Sequence, residues 1–382
     1  MMSNKFMNVN SSILAGVALA ALMPGVAAAQ EAGSDSLAEI IVTASKTNVT
    51  LQDANMAATA VSADTLAMGN ITDITGLNGT VPGLVIAKSG GAERIITIRG
   101  IGSETPENTN PQPGVSYHID GVYVFNSIAA NAAFIDVGQV EVLRGPQGTT
   151  FGQGSTGGTI NVVSRQPVLG EFGANGEMGY GNYNLFKLDG GMNVPIGDTM
   201  AIRVAGQFNK HDGYAVATDV VGHGDKYELD DQNDYGWKAS LLWEPIDALS
   251  ISLNTIQFRS DTNGTAQKNL LDPVDDPRIL TQDYPGKSVV NTELYYGTVA
   301  LDLDFATIKS ISSYQKVHSE QSWDADGLTA DLFYAQTYSP LTFGGTRYDH
   351  VAAWESDTES WTQEVNISSN GNGRLDWILG GV

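Results

Sequence analysis

Residues 140–167 read VEVLRGPQGTTFGQGSTGGTINVVSRQP. Two apolar runs bracket this stretch, Val140-Glu141-Val142-Leu143 and Thr159-Ile160-Asn161-Val162-Val163. Both alternate or are β-branched, so the pattern predicts two strands. Between them lie Gly145, Gly148, Gly152, Gly154, Gly157 and Gly158. Glycines at that density mark backbone that turns tightly or lies close against other backbone. Gly152-Gln153-Gly154-Ser155-Thr156-Gly157 also spells G-x-G-x-x-G, the dinucleotide-binding pattern. That pattern works where it follows a strand and opens a helix whose N-terminus holds the pyrophosphate. Here a strand follows it, and the context argues against a nucleotide site.

Toward the N-terminus, Lys5 precedes an apolar run from Ile13 to Met23, and Ala27-Ala28-Ala29 stands before Gln30. This is the layout of a cleaved signal peptide. The apolar run is too short to span a bilayer, so the chain is expected to be exported with its mature start at Gln30. There is no cysteine, which excludes disulfides, thiolate metal sites and a Cys nucleophile. The five histidines (His118, His211, His223, His318, His350) show neither H-x-x-x-H nor H-E-x-x-H spacing, so no metal site is expected from spacing.

The net charge is −23, from 43 acidic against 20 basic residues. With no basic run, phosphate-mediated nucleic-acid binding is excluded. Outside the leader no apolar run reaches the length of a membrane helix, so a membrane form of this chain must be a barrel.

Glu39-Ile40-Ile41-Val42-Thr43-Ala44-Ser45 is a lone β-prone segment between polar and small residues. A strand without a partner of its own is a substrate for pairing to another sheet. From about residue 50 to Pro167 a small mixed α/β unit is predicted. Ala63–Met68 and Ile71–Leu77 read as short helices, Val81–Ile86 as a turn into a strand, and Ile95–Gly100 as a strand. Ser116–Val124 reads as a hairpin turning at Asp120-Gly121.

Beyond Pro167 the pattern becomes period-2. Ile202, Val204, Gly206 and Phe208 alternate with Arg203, Ala205, Gln207 and Asn209. Trp237, Ala239, Leu241 and Trp243 alternate with Lys238 and Ser240, and Leu249, Ile251 and Leu253 with serines and Asn254. Tyr295, Val299, Leu301, Leu303 and Phe305 are assigned one strand face, and Trp361, Val365 and Ile367 another. Short turns are expected at Pro195–Asp198, Pro245–Ala248 and Asn370–Gly373, and long polar loops at Lys210–Asp234, Arg259–Asn291 and His318–Glu359. Alternating short and long connections is the habit of outer-membrane barrels. Aromatics near strand ends, among them Tyr180, Tyr235, Trp243, Tyr295, Trp361 and Trp377, suit interfacial girdles.

The runs VPGL (81–84), IRG (98–100), IDGVYV (119–124) and EVLRGPQG (141–148), in that order, resemble the plug domain of TonB-dependent outer-membrane receptors. The resemblance covers about the first 170 residues in detail. It implies a signal peptide at 1–29, an N-terminal segment at 30–49 and a plug at 50–167. Residues 168–382 would be antiparallel strands of a partial transmembrane β-barrel. Within the N-terminal segment Glu39, Ile40, Ile41, Val42, Thr43, Ala44 and Ser45 look like a TonB box. About nine strands are counted, against about twenty-two in the family's barrels. An open edge is not tolerated in lipid, so the chain is expected to be the N-terminal part of a longer one.

The resemblance further implies a receptor in the bacterial outer membrane, contacting lipid and coupled to TonB with its inner-membrane energising complex. Uptake of a scarce solute, a ferric siderophore first, is implied; carbohydrate, vitamin B12 or another organic compound is the alternative, as is a non-functional fragment. No enzymatic chemistry and no cofactor are implied. Arg99 and Arg144, each beside a glycine, are expected to pair with barrel-wall carboxylates. Ligand contacts are expected from plug loops, with Lys88, Glu104, Asn108, Gln112, Tyr123, Phe125 and Asn126 as candidates. The acid-rich loop 212–234 reads as solvated, without the EF-hand spacing for calcium.

Overall fold

The computed structural model describes residues 41–42, 49–50, 56–89, 93–102, 113–151, 154–220, 226–337, 350–370, 375 and 377–382. The leader and Glu39, Ile40, Thr43, Ala44 and Ser45 lie outside the described residues. At the described start, β1 (Ile41–Val42) pairs antiparallel with β2 (Val49–Thr50). This corrects the lone-strand reading for Ile41 and Val42, which have a short local partner.

The next unit is built on a five-stranded sheet. β3 (Ala57–Ser62) leads into α1 (Ala63–Met68), where the Ser62 hydroxyl accepts from Thr65 N at 3.3 Å as N-cap. Asp73 caps a 3-10 turn at Ile74–Leu77 in the same way, where the sequence suggested a longer helix. β4 (Leu84–Ser89), β5 (Glu93–Ile98) and β6 (Ile101–Gly102) form a small antiparallel sheet. β7 (Val115–Ile119) and β8 (Val122–Tyr123) form the expected hairpin. Asp120 and Gly121 both have positive φ, 51° and 81°, as a type I′ turn requires.

A 3-10 turn at Ser127–Phe134 leads to β9 (Val137–Arg144). The glycine-rich stretch holds only the four-residue α2 (Gly148–Phe151) before β10 (Gly158–Ser164). A strand does follow the G-x-G-x-x-G, and β10 lies between β9 (antiparallel) and β7 (parallel). The sheet order is β3-β9-β10-β7-β8.

The remaining residues form a nine-stranded antiparallel sheet. In chain order come β11 (Gly173–Tyr180), β12 (Phe186–Ile196) and β13 (Met200–His211). Next, β14 (Ala215–Ala217) and β15 (Tyr227–Leu229) lie in a loop. β16 (Gln232–Ile246) and β17 (Leu249–Thr262) follow, then the loop strand β18 (Ile279–Leu280). β19 (Lys287–Asp302), β20 (Ala306–Asp324), β21 (Val351–Ser369) and β22 (Ile378–Gly381) complete the sheet, with α3 (Ala330–Thr337) between β20 and β21. Apart from β14, β15 and β18, which form their own small sheet, each strand neighbours the next in sequence.

Two sequence expectations are corrected. Leu303 and Phe305 do not continue the β19 face. Leu303 and Ala306 exchange backbone hydrogen bonds across a tight turn, and Phe305 is exposed at its tip. No Gly or Pro marks that turn, so apolar alternation ran straight through it. The loop expected over His318–Glu359 is shorter, because β20 continues to Asp324 and β21 starts at Val351. There the outward face carries Lys316, His318, Glu355, Asp357 and Glu359, so both faces are polar and period-2 contrast is lost.

The sheet has two different faces. Leu188, Met192, Val204, Trp237, Trp243, Leu253, Tyr295, Val299, Trp361 and Val365 point outward and are exposed. From Tyr235 to Trp243 this band runs about 27 Å along the strand at ~3.4 Å per residue. With barrel-like tilt that approaches the ~25 Å apolar band of outer-membrane barrels. On the opposite face Ala205, Ile256, Phe258, Leu294, Tyr296, Ile311 and Val317 are buried in one core with Ile86, Ile98, Tyr117, Ile135 and Val140 of the α/β unit.

Candidate functional site

Among the described residues, the α/β unit meets the sheet through ion pairs at two points. Asp136 follows the second 3-10 turn with φ 57°. Its carboxylate accepts two bonds from Arg203 of β13, Nε to Oδ2 at 2.5 Å and Nη2 to Oδ1 at 2.6 Å. Arg203 also donates to Asn175 Oδ1 of β11 at 2.8 Å. Both charged side chains are nearly sealed from water, 9% and 2% exposed. A bidentate fork in such a site is strong and directional.

The second point is the tip of the β7–β8 hairpin. Asp120 Oδ1 accepts from Ser164 N at 2.8 Å and Oδ2 from Ser164 Oγ at 2.6 Å. The Tyr296 hydroxyl of β19 donates to Oδ2, and the Lys238 ammonium of β16 lies 3.4 Å from it while donating to Ser164 Oγ. Burial pushes the Asp120 carboxyl up, but Lys238 and the Ser164 and Tyr296 bonds outweigh it and hold it below the usual value.

Further along, Gln315 of β20 grips the segment after the hairpin. Its Nε2 donates to Tyr123 O at 2.5 Å and its Oε1 accepts from Phe125 N at 3.4 Å. Ile128 then packs on Val290, three residues from the Lys287 end of β19. That end carries the long connections. The segment Tyr123–Ile128 is therefore the part of the unit that climbs toward the long-loop side.

The expected site residues fall as follows. Phe125 is 41% exposed on that climbing segment, while Tyr123 is partly buried with its ring 5.5 Å from His118. Asn126 is buried, and its Oδ1 accepts from Ile128 N at 3.0 Å, capping the 3-10 turn. Lys88 lies in β4. Glu104, Asn108 and Gln112 lie outside the described residues. Arg99 is exposed at φ 54°, its N–H donating to Gly83 O at 2.7 Å. Arg144 ends β9 with its Nε buried and, among the described residues, without a hydrogen-bond partner. Among the described residues neither arginine forms an ion pair. The two described ion pairs between unit and wall, Asp136–Arg203 and Asp120–Lys238, run with the opposite polarity, carboxylate on the unit and cation on the sheet. Sequence reasoning did not single out Asp120, Asp136, Arg203, Lys238 or Gln315 for this role. The available signal was Arg203 and Lys238 at polar positions of otherwise amphipathic strands.

The acidic loop uses its carboxylates as staples. Asp212, Glu228, Asp231 and Asp234 accept from Asn184, Gly213 N, Asn263 N and Gln232. A small apolar cluster of Ala215, Ala217, Val220, Tyr227, Leu229 and Leu280 holds the loops together.

A domain of this topology, seated by buried charges on the inner face of an outward-apolar sheet, matches a known family over residues 50–159, the TonB-dependent Receptor Plug Domain. The chain carries a TonB-dependent receptor plug. The plug and the antiparallel sheet together are similar to the ferric yersiniabactin uptake receptor FyuA from Yersinia pestis, with a TM-score of 0.70 at 22% identity. The likeness covers 86% of this chain and 48% of that one. The pesticin receptor of Yersinia pestis is 38% identical over 148 residues, 38% of this chain and 21% of that protein. The probable TonB-dependent siderophore receptor PiuA of Acinetobacter baumannii is 26% identical over 298 residues, 74% of this chain and 38% of that protein. The chain thus spans less than half the length of each of these proteins. What they share with it is the plug and the strands that follow.

Proposed function

We propose that this chain forms the plug and first barrel strands of an outer-membrane receptor that takes up a ferric siderophore with energy from TonB. The observation that carries this reading is the plug core closed by the inner face of a sheet whose outer face is apolar. A plug sealed into a lipid-facing wall blocks passive flow, so uptake needs work from outside the barrel. The siderophore assignment is supported by relatives named as siderophore receptors, PiuA and Fiu among them. A second cargo, vitamin B12, is favoured by the 26% identity over 271 residues to the vitamin B12 transporter BtuB of Vibrio vulnificus.

In this reading residues 1–29 are a cleaved leader and 30–49 carry the TonB box, Glu39–Ser45. The plug runs from 50 to 167 and the barrel strands from 168. TonB's sheet takes the box as an added strand. The force passes into the plug, whose wall contacts at Asp136 and Asp120 must hold or release in a set order. Arg99 and Arg144 would take carboxylate partners from further barrel strands of the kind the longer relatives contain. Of the ligand candidates, Phe125 is favoured by its exposure at the long-loop side. Lys88, Glu104, Asn108, Gln112, Tyr123 and Asn126 complete the proposed set. Binding and passage make and break no covalent bond, so no enzymatic step is assigned.

The test is growth and radiolabelled uptake in a deletion strain, with ferric siderophores under iron limitation and cobalamin under B12 limitation. Loss of ferric uptake alone supports the siderophore reading. Loss of cobalamin uptake alone supports the second. Unchanged uptake of both refutes both cargo assignments.

A further inference from the structure

The β20–β21 pair runs well past the apolar band. On the outward face Tyr314 and Trp361 stand opposite each other with rings 4.5 Å apart, marking its edge. Beyond them toward the long loops the outward residues are Lys316, His318 and Glu320 on β20, facing Glu359, Asp357 and Glu355 on β21. Most of these charges are matched. Lys316 pairs with Glu359 at 3.5 Å, and Glu320 takes both its bonds from Lys287 at 2.7 Å.

Glu355 is the exception. It stands directly opposite Glu320 and two residues from Asp357 on the same face, and among the described residues it forms no ion pair. Like charges placed opposite on adjacent strands destabilise the pairing. Four carboxylates here face two ammonium groups and one imidazole, so the face lacks positive charge. The geometry supplies a place for it. One ligand atom each from His318, Glu355 and Asp357 lies within 4.8 Å of the others, and His318 Nδ1 is 3.0 Å from Asp357 Oδ1.

From this we infer that His318, Glu355 and Asp357 form a divalent cation site on the outer wall just beyond the aromatic belt. An imidazole nitrogen with two carboxylate oxygens suits a borderline transition cation of the Zn²⁺ class. It falls short of the six or more oxygens that calcium takes. The three ligands sit on two adjacent long strands, so the bound cation pins the β20–β21 register where the hairpin leaves the lipid. Its remaining positions face outward, open to water or an anionic group.

The full chain, extracted from outer membranes and stripped with chelator, is titrated with Zn²⁺ alone by equilibrium dialysis. Visible absorption of added Co²⁺ reports the coordination. The wild type should hold the ion at a site whose affinity falls at least tenfold in His318→Ala and in Glu355→Gln. Glu359→Gln, which alters only the neighbouring lysine pair, should stay within about twofold. If His318→Ala does not reach the membrane, Glu355→Gln decides, because among the described residues Glu355 has no ion pair to lose. No Zn²⁺ uptake by the wild type, or wild-type affinity in Glu355→Gln, overturns the site.

Discussion

Asp136 of the plug and Arg203 of the sheet are joined by two N–H···O bonds of 2.5 and 2.6 Å with both side chains almost fully buried. The wall supplies the cation and the plug the carboxylate, and Asp120 with Lys238 repeats that polarity on the hairpin tip. The two contacts flank the same end of β10, since Asp120 follows β7 and accepts from Ser164 N while Asp136 precedes β9 and its carbonyl accepts from Arg165 N. A plug held at two such points resists sliding as well as rotation.

Arg203→Ala should leave Asp136 buried without compensation and destabilise plug seating by about 3–5 kcal/mol. Replacing both partners, Arg203→Met with Asp136→Leu, should recover most of that loss. The measurement is the urea dependence of protease cleavage within residues 56–164 in the full chain. Equal damage in the single and double variants would show that the pair is not the seating contact.

The Asp120 contact should be acid-sensitive. A carboxylate held below its ordinary value contributes stability that is complete above the unfolded value near 3.8. That contribution disappears as pH falls through the lower folded value. Protease resistance of the hairpin should be flat from neutral pH to about 5 and drop at more acidic pH. Asp120→Asn should be weaker at neutral pH and lack that acid step. A step of unchanged size in the variant would assign it to another group.

Gly158 has φ 152°, and a Cβ there would fall 2.3 Å from Leu143 O across the β9–β10 ladder. Gly158→Ala therefore has to distort the centre of the plug sheet, at a cost on the order of 1–3 kcal/mol. Gly148→Ala, with open space around its Cβ, serves as the control. Comparable unfolding midpoints for both variants would contradict the close approach.

Tyr227, in the loop strand β15, is pushed up to about 12 by burial, then by Asp231 and Tyr284. A raised phenol contributes stability that is full below its unfolded value of 10.0 and is lost as pH rises through the folded one. Ultraviolet titration should show a late tyrosine step that Tyr227→Phe removes. Persistence of that step would place it on another tyrosine.

Ile41→Pro removes an N–H and fixes φ in the proposed TonB-binding segment. Ligand binding at the cell surface should persist while uptake falls to background. Normal uptake by this variant would rule out the segment as the energy-coupling element.

Much of this was legible in the chain. The apolar runs around the 140–167 glycines predicted β9 and β10. Asp120-Gly121 predicted a hairpin, because so few residues tolerate two successive positive φ values. Period-2 alternation with unequal connections predicted the antiparallel sheet and the sidedness of its loops. These are local properties, set by sterics and by which face of a strand is apolar.

What only the tertiary structure decided are the pairings. Arg99 and Arg144 drew attention because they adjoin glycines, yet the described seating contacts are Asp136–Arg203 and Asp120–Lys238, separated by 67 and 118 residues. The ends of β20 and β21 were hidden because charged residues on the outward face oppose largely polar ones on the inward face, which erases the apolar contrast. His318 comes opposite Asp357 only through antiparallel register, and no spacing along one strand encodes that. Which polar side chains meet depends on register, strand tilt and the seating of one domain in another. Those are set by the whole packed surface rather than by any local run of residues.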